Sequence, residues 1–593
     1  MSSTKNMWIV FGFVSIAFHI YLIFSGLVPN LISRPIHMAL ILPWIFLYDK
    51  NFSNNLISSF IVFLGIFSCL WISFSHESLM DQYGFLEGIF QFSISIILIL
   101  IVLEMARRSV GWPLPLVSLI AILYGIFGNF IPGEFGHPGI PLNSFFGTLT
   151  IAEGGIWGPL TGVSVSIVSI FVIFGSFLNS GEAGSGFMNI ATAFAGRLKG
   201  GAAKVSVISS ALFGSISGSA SANVASTGMV TLPAMTKLKY PKRLAASVEA
   251  VASSGGQIMP PLMGAGAFVM VELTGIPYNQ IILAALLPAV LFFFAVWVGI
   301  DFYAKKYDLK PIDQKYLPRK SIVLITSFFF LIPFSILLIF MFIGFTPQFA
   351  ASVAILASFL LLFFNLDNGF DFKLGLNRFF SACTSSGKQI SLIGSIILCA
   401  SLIIGVLSIT GLGVKLTSLI ISISDNNIWP ALLLTGLACL ILGMEVPTTA
   451  AYVICVSVAG PALVDMGLEL LQVHLFVFWF ALLSTITPPV CGTVFIAAGM
   501  VNENWLKVSI TSMSLGIGLY FIPLAMIANK SILDLNSTFF LSLLAFIKIA
   551  LSLIMLSFSI IGNYNPFLRM AVFLLGLFIC LLYTSPSPRD LRL

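Results

Sequence analysis

Hydroxyl, amide and glycine residues gather at two places in this chain where the surroundings are otherwise apolar. The first runs Gly214-Ser-Ile-Ser-Gly-Ser-Ala-Ser-Ala-Asn223, followed by Gly255-Gly-Gln-Ile-Met-Pro260-Pro261. The second runs Gly443-Met-Glu-Val-Pro-Thr-Thr449, followed by Ser484-Thr-Ile-Thr-Pro488-Pro489. Hydroxyl oxygens, and backbone carbonyls freed where a helix is interrupted, are hard ligands that suit Na⁺. Half-helix N-termini suit a carboxylate. The candidate binding residues are therefore Ser217, Ser219, Asn223, Gly255 and Gly256 in the first place. In the second they are Gly443, Pro447, Thr448, Thr449, Thr485 and Thr487. Neither stretch from Gly214 to Pro233 nor that from Gly443 to Pro461 holds an arginine or lysine, so an anion there is held by N–H and hydroxyl groups. No transition-metal site is indicated.

The elements that position these residues are broken helices. Pro260, Pro261, Pro488 and Pro489 remove backbone donors and interrupt a helix. The interruptions are duplicated: Pro233, Pro260, Pro261 and Gly264 are matched 228 residues later by Pro461, Pro488, Pro489 and Gly492. A single small-residue run such as Gly214-x-x-x-Gly218 reads first as a packing seam between membrane helices. Paired interruptions in two halves of a chain point instead to a transporter's binding site.

Composition puts both places in a membrane. The 593 residues are 58% hydrophobic and 8% charged, against about 25% charged in a soluble domain. Roughly fourteen apolar runs reach the ~20 residues that span a bilayer, beside the two broken regions. The net charge of +6 sits in short loops and reads as topology, not as nucleic-acid binding. The seven cysteines include no C-x-x-C pair, and the chain has no G-x-x-x-x-G-K-[ST], which argues against a disulfide framework and against direct use of ATP.

Lysine and arginine collect on the cytoplasmic side. With the N-terminus inside, spans near 8–28, 31–48, 58–75, 88–105 and 114–132 alternate so that Lys5, Lys50, Arg107 and Arg108 fall inside. The first broken region, about 205–235, is flanked by basic residues and should enter from the cytoplasm. The second, about 430–460, is flanked by Asp425, Asp465 and Glu469 and should enter from outside. The two repeats are then inverted, with spans near 246–272, 280–303, 321–345, 348–365 and 389–410 between them. Glu249 reads as a cytoplasmic-end residue pairing with a nearby Lys or Arg, and Glu153 as solvated. Glu445 has two readings: a coupling carboxylate inside the membrane, or a solvated group at the hairpin mouth.

At these residues the chain resembles the fused membrane subunit of tripartite ATP-independent periplasmic (TRAP) transporters, in the form that works with TAXI-type solute receptors. The matching stretches are Gly201-Ala-Ala-Lys-Val-Ser206 through Gly228, Glu249 to Pro261, Thr410-Gly-Leu-Gly413, Pro447-Thr-Thr-Ala-Ala-Tyr452, His474-Leu-Phe-Val-Phe478 and Ser484 to Pro489. The resemblance implies an all-α polytopic membrane protein of the ion-transporter superfamily. In it an N-terminal four-helix block like the small subunit (1–110) precedes a connecting span and periplasmic loop (111–150). Repeat one with its cytoplasmic-side hairpin follows (151–303), then a basic linker and scaffold spans (304–388). Repeat two with its periplasmic-side hairpin (389–528) and C-terminal spans (529–579) complete the large-subunit part. The implied function is non-enzymatic: Na⁺-coupled uptake of an organic acid, usually a carboxylate, across the bacterial inner membrane. A periplasmic TAXI-type receptor delivers it, and the two re-entrant hairpins with their Pro-Pro helices move as an elevator. No cofactor beyond Na⁺ as coupling ion and no ATPase subunit are implied. One implied Na⁺ site combines hairpin one with the Gly255-Gly256 break, and a second combines Pro447-Thr-Thr449 with Thr485 and Thr487. Glu445 departs from the family pattern, which carries a small or apolar residue there. That leaves a proton-coupled variant open beside a standalone Na⁺/anion symporter, an intramembrane hydrolase and a channel. Residues 580–593 resemble a translated sequencing adaptor and are expected to be an artefact without function.

Overall fold

The computed structural model describes residues 3–48, 56–365 and 369–581, with only the backbone for residues 3–5 and for Glu445. The expectations resting on Lys5, Lys50, the Glu445 side chain and residues 582–593 lie outside the described residues. Apart from turns and loops, the described chain is helical, with one short ribbon pairing Phe364–Asn365 with Gly369–Phe370. Helices dominate because a backbone in lipid must satisfy its own N–H and C=O groups. Twelve described helices are long and apolar enough to cross a membrane, and eight shorter apolar ones have 10–17 residues. The span expected at 246–272 is two pieces, Lys242–Gly255 and Ala265–Thr274, because the Pro-Pro step lies inside it. The span expected at 348–365 stops at Leu361.

The chain divides into two compact units. The first comprises Met1–Gly181, Pro333–Asn426 and Glu445–Ala462. Its axis is the 39-residue helix Phe372–Thr410. At about 1.5 Å per residue that helix is roughly 58 Å long, nearly twice a ~30 Å hydrocarbon core. A span was expected only from 389, since hydropathy marks the apolar part. The helix begins earlier because Asp371 caps it, accepting from Leu374 N at 2.9 Å. Around it pack Ser3–Phe24, Asn30–Leu47, Gly88–Val110, Pro113–Phe127 and Ser169–Ser180.

Close approach in this unit needs small residues: a methyl on Gly12 would lie 2.2 Å from the Cys383 carbonyl oxygen. Several buried polar groups pair among themselves. His19 Nε2 meets His37 Nδ1 at 2.8 Å, and His37 Nε2 meets Ser164 Oγ at 3.1 Å at the start of a π-helical turn, Ser164–Val168. Arg34 is buried, donates to the Trp157 carbonyl and lies 3.7 Å from Glu153. Glu153 therefore has partners, Asn30 Nδ2 at 2.8 Å among them, although it stays partly exposed. Arg34→Met should lower unfolding stability by about 1.5–3 kcal/mol, the range for hydrogen bonds to a charged group. Thermal unfolding of purified wild type and variant measures it.

The second unit comprises Glu182–Ile332, Asn427–Met444 and Leu463–Leu593. It holds both arms of hairpin one, Gly201–Ser217 and Ala220–Lys237, and the broken helix after it. It also holds Tyr278–Tyr307, Leu470–Leu483, Gly492–Val501 and Trp505–Leu515. The arms of hairpin two, Ile428–Glu445 and Thr448–Asp465, divide between the units: the chain passes from the second to the first between Met444 and Glu445.

Candidate functional site

Hairpin one turns at Gly218, whose φ of +60° suits glycine. Ser219 then caps the second arm, its side chain accepting from Ala222 N at 3.3 Å. That is a structural use for one predicted site hydroxyl. Ser217 Oγ donates to the Ser219 carbonyl at a long 3.4 Å. The turn packs on the first helix break, since a methyl on Gly218 would lie 3.2 Å from the Met263 carbonyl oxygen.

The break itself is a short 3₁₀ turn, Gly256–Ile258, between Lys242–Gly255 and Ala265–Thr274. Several freed carbonyls here find donors. Tyr278 Oη reaches the Pro261 and Leu262 carbonyls at 2.7 Å each, and Gly264 N donates to the Gln257 carbonyl at 2.8 Å. The second break runs from Leu483 to Gly492. Thr493 Oγ1 donates to the Thr485 carbonyl at 2.7 Å and Ser509 Oγ to the Ile486 carbonyl at 2.8 Å. Both Pro–Pro bonds, Pro260–Pro261 and Pro488–Pro489, are cis.

Two glycines allow hairpin one to touch the break. A methyl on Gly214 would lie 2.2 Å from Gly256 Cα, and one on Gly256 would lie 2.5 Å from Gly214 Cα. Asn223 sits against both. Its Nδ2 donates to the Ser210 carbonyl at 2.9 Å and to the Ser253 carbonyl at 3.4 Å, tying the two hairpin arms to the helix before the break. With Nδ2 so committed, Oδ1 is buried and has no hydrogen-bond partner among the described residues. Gln257 repeats the arrangement: Nε2 donates to the Gly218 carbonyl at 3.0 Å, and Oε1 is buried without a partner. Buried acceptors are nearly always satisfied, and an orphan asks for a water or an ion. Two amide oxygens anchored by their own nitrogens are hard, neutral ligands, and they fit Na⁺. Asn223 was expected from sequence. Gln257 was not, although its place between Gly256 and the Pro-Pro step marked it.

The predicted residues of repeat two fall into separate groups. In the second unit, Ser484 Oγ donates to the Gly443 carbonyl at 2.8 Å. Thr485 Oγ1 donates to Ser254 Oγ at 2.8 Å, and Ser254 Oγ lies 3.4 Å from Thr493 Oγ1. The two helix breaks are thus joined through hydroxyls. Thr487 Oγ1 pairs with Tyr520 Oη at 2.8 Å. Pro447, Thr448 and Thr449 belong to the first unit, where Thr448 begins a helix. Beside Gly492, at the start of the helix after the second break, Ser221 of hairpin one approaches: a methyl on Gly492 would lie 3.8 Å from Ser221 Oγ.

Glu249 corrects the sequence reading most. It has no solvent exposure, and its partners are hydroxyls rather than a lysine or arginine. Its helix starts at Lys242, so Glu249 lies seven residues, or roughly 10 Å, inside it. Proximity in sequence to Lys242 and Arg243 suggested otherwise, but those residues occupy the first turn.

Residues 97–537 match the family described as "Tripartite ATP-independent periplasmic transporter, DctM component". The C4-dicarboxylate TRAP transporter large permease protein DctM of Pseudomonas aeruginosa is 24% identical over 335 residues, 56% of this chain and 76% of that protein. The sialic acid TRAP transporter large permease protein SiaM of Vibrio cholerae is 23% identical over 344 residues, 58% of this chain and 78% of that protein. The uncharacterized protein YgiK of Salmonella typhimurium is 24% identical over 358 residues, 58% and 77%.

Proposed function

Because the chain belongs to the DctM component family of tripartite ATP-independent periplasmic transporters, a family of non-enzymatic membrane permeases, we propose that it carries an organic acid inward together with Na⁺. The observation that carries this reading is the pair of orphaned amide oxygens, Asn223 Oδ1 and Gln257 Oε1, where hairpin one meets the first helix break. Hard oxygen donors without a proton to accept are what an alkali cation needs. Na⁺ held there neutralises part of the charge of an incoming carboxylate, which can then settle where Ser221 approaches the N-terminal end of Gly492–Val501. Thr485, Ser254 and Thr493 link the two breaks behind it. Relatives named for a C4-dicarboxylate and for sialic acid support an organic acid as the substrate class.

The finer features follow the same reading. Residues 1–110 serve as a fused small subunit; helices of this block pack on Phe372–Thr410, which supports a fixed scaffold role. The receptor is of TAXI type, the N-terminus is cytoplasmic, and the hairpin-bearing part moves as an elevator.

Receptor dependence is the direct test of the tripartite part. Proteoliposomes holding the permease are loaded with Na⁺ outside and offered a panel of labelled organic acids, with and without the TAXI-type receptor from the same genome. Uptake of one acid only when receptor is present is the expected result. Equal uptake without receptor would make the chain a standalone symporter.

A further inference from the structure

Among the described residues Glu249 is the only carboxylate-bearing side chain fully buried, and the proposed Na⁺ site gives it no task. Its Oε2 accepts from Ser206 Oγ at 2.7 Å on the first hairpin arm and from Thr231 Oγ1 on the second. Its Oε1 accepts from Thr227 Oγ1 on the second arm and from Ser253 Oγ at 3.3 Å on its own helix. One carboxyl group therefore binds both arms of hairpin one to the helix that breaks at Gly255.

No opposite charge faces it. The helix Lys242–Gly255 packs against both arms, the 3₁₀ turn, Tyr278–Tyr307, Gly492–Val501 and Trp505–Leu515. The charged or titratable residues on these elements are Lys204 and Lys237 on the arms, and Tyr278, Asp301, Tyr303, Lys305, Lys306 and Tyr307 on the long helix. Trp505–Leu515 adds Lys507, and the element itself carries Lys242 and Arg243. Lys204 is taken by Asp301 at 2.6 Å, and none of the others pairs with Glu249. A buried charge without a counter-charge is costly, whereas a group that exchanges a proton can be neutral for part of a cycle.

The hydroxyl cage accepts both forms. A hydroxyl is a rotor that donates or accepts. Thr227 Oγ1 also reaches the Asn223 carbonyl at 2.8 Å, and Thr231 Oγ1 the Thr227 carbonyl at 3.0 Å. With a carboxylate, both threonines turn their protons to Glu249. With a carboxylic acid, one turns back to its backbone carbonyl and accepts a hydrogen bond from the glutamyl O–H. No heavy atom need move. Ser206 Oγ already lies 2.7 Å from the carboxyl oxygen, so an ion entering the cage would have to displace it. The cage also communicates with the amide clamp: Ser253 Oγ lies 3.4 Å from Ser210 Oγ, and the Ser210 and Ser253 carbonyls hold Asn223.

We infer that Glu249 is a proton-binding site, taking a proton from water on one side of the membrane as an O–H bond forms and returning it to water on the other side as that bond breaks. The inference rests on the reading of the chain as an ion-coupled permease and adds an ion to it. Infrared difference spectroscopy of the full chain in lipid nanodiscs, acid against alkaline buffer with no ion gradient, tests it. The expected result is a protonated-carboxyl carbonyl band that disappears on alkalinisation in wild type and in Glu445→Gln, and is missing from Glu249→Gln. Thr231→Val keeps the carboxyl but removes a donor, and should shift the pH at which the band disappears. The same pH-dependent band in Glu249→Gln, or one lost only in Glu445→Gln, would overturn the assignment. Because the spectra need neither Na⁺ nor substrate, this assignment and the sodium reading fail separately.

Discussion

Asn223→Ala is expected to raise the Na⁺ concentration for half-maximal uptake by about 10- to 150-fold. The range converts the loss of a contact to a charge, about 1.5–3 kcal/mol, at 1.4 kcal/mol per tenfold. The substitution removes the orphaned Oδ1 and also the donor that ties the Ser210 and Ser253 carbonyls together. Part of its effect is therefore structural, since two buried carbonyls lose a partner at about 1–3 kcal/mol each. Gln257→Leu separates the two contributions. It deletes an orphaned oxygen whose anchoring nitrogen meets a single carbonyl, that of Gly218. If both amides hold the ion, both variants shift the Na⁺ dependence of labelled-acid uptake. If they only brace the hairpin, unfolding temperatures fall and the Na⁺ half-saturation stays where it was.

Gly214→Ala and Gly256→Ala should each reduce uptake to background. At both positions the added methyl would meet backbone, 2.2 Å and 2.5 Å away, and backbone cannot rotate aside as a side chain can. Relief requires hairpin one to lift from the helix break, which pulls Asn223 from the Ser253 carbonyl and Gln257 from the Gly218 carbonyl. Overpacking of this kind costs about 1–3 kcal/mol, and here the displacement falls on the ion site itself. Gly499→Ala is the control. It lies in the same unit with nothing within 4 Å of the added methyl, so wild-type uptake and unfolding temperature are expected. A Gly256→Ala protein that still transports at the wild-type rate would mean that the contact of hairpin and break is incidental.

The duplicated prolines made the two helix breaks legible, because proline acts through its own covalent geometry and needs no knowledge of neighbours. The places of Asn223 and Gly256 at the contact of hairpin and break were legible for a related reason: polar and small residues are out of place in an apolar run; Gly255 faces Phe292 instead. Gln257 carried the same signal within the Gly-Gly-Gln-Ile-Met-Pro-Pro motif, but which end of an amide is left unpaired depends on the Gly218 carbonyl, 39 residues away. Glu249 departs from its sequence reading because loop charge reports the side of the membrane and not depth. Its four hydroxyl partners come from three helices, and only folding assembles them. Hydropathy stops short of the start of Phe372–Thr410 because its first half carries Lys373, Arg378 and Lys388, which end a hydropathy window but not a helix. Ser219 shows the converse. Its position in the hairpin tip suggested a ligand, and the tip uses its side chain as a cap.

Sodium-driven accumulation is the measurement that bears most directly on the central claim. The permease is reconstituted with its receptor and the acid identified in the receptor assay, and uptake is followed with an inward Na⁺ gradient imposed, then with choline replacing Na⁺ at the same pH. Accumulation above the external concentration with Na⁺, and none with choline, is the result expected if Asn223 and Gln257 hold the coupling ion. Accumulation that persists undiminished in choline would contradict it.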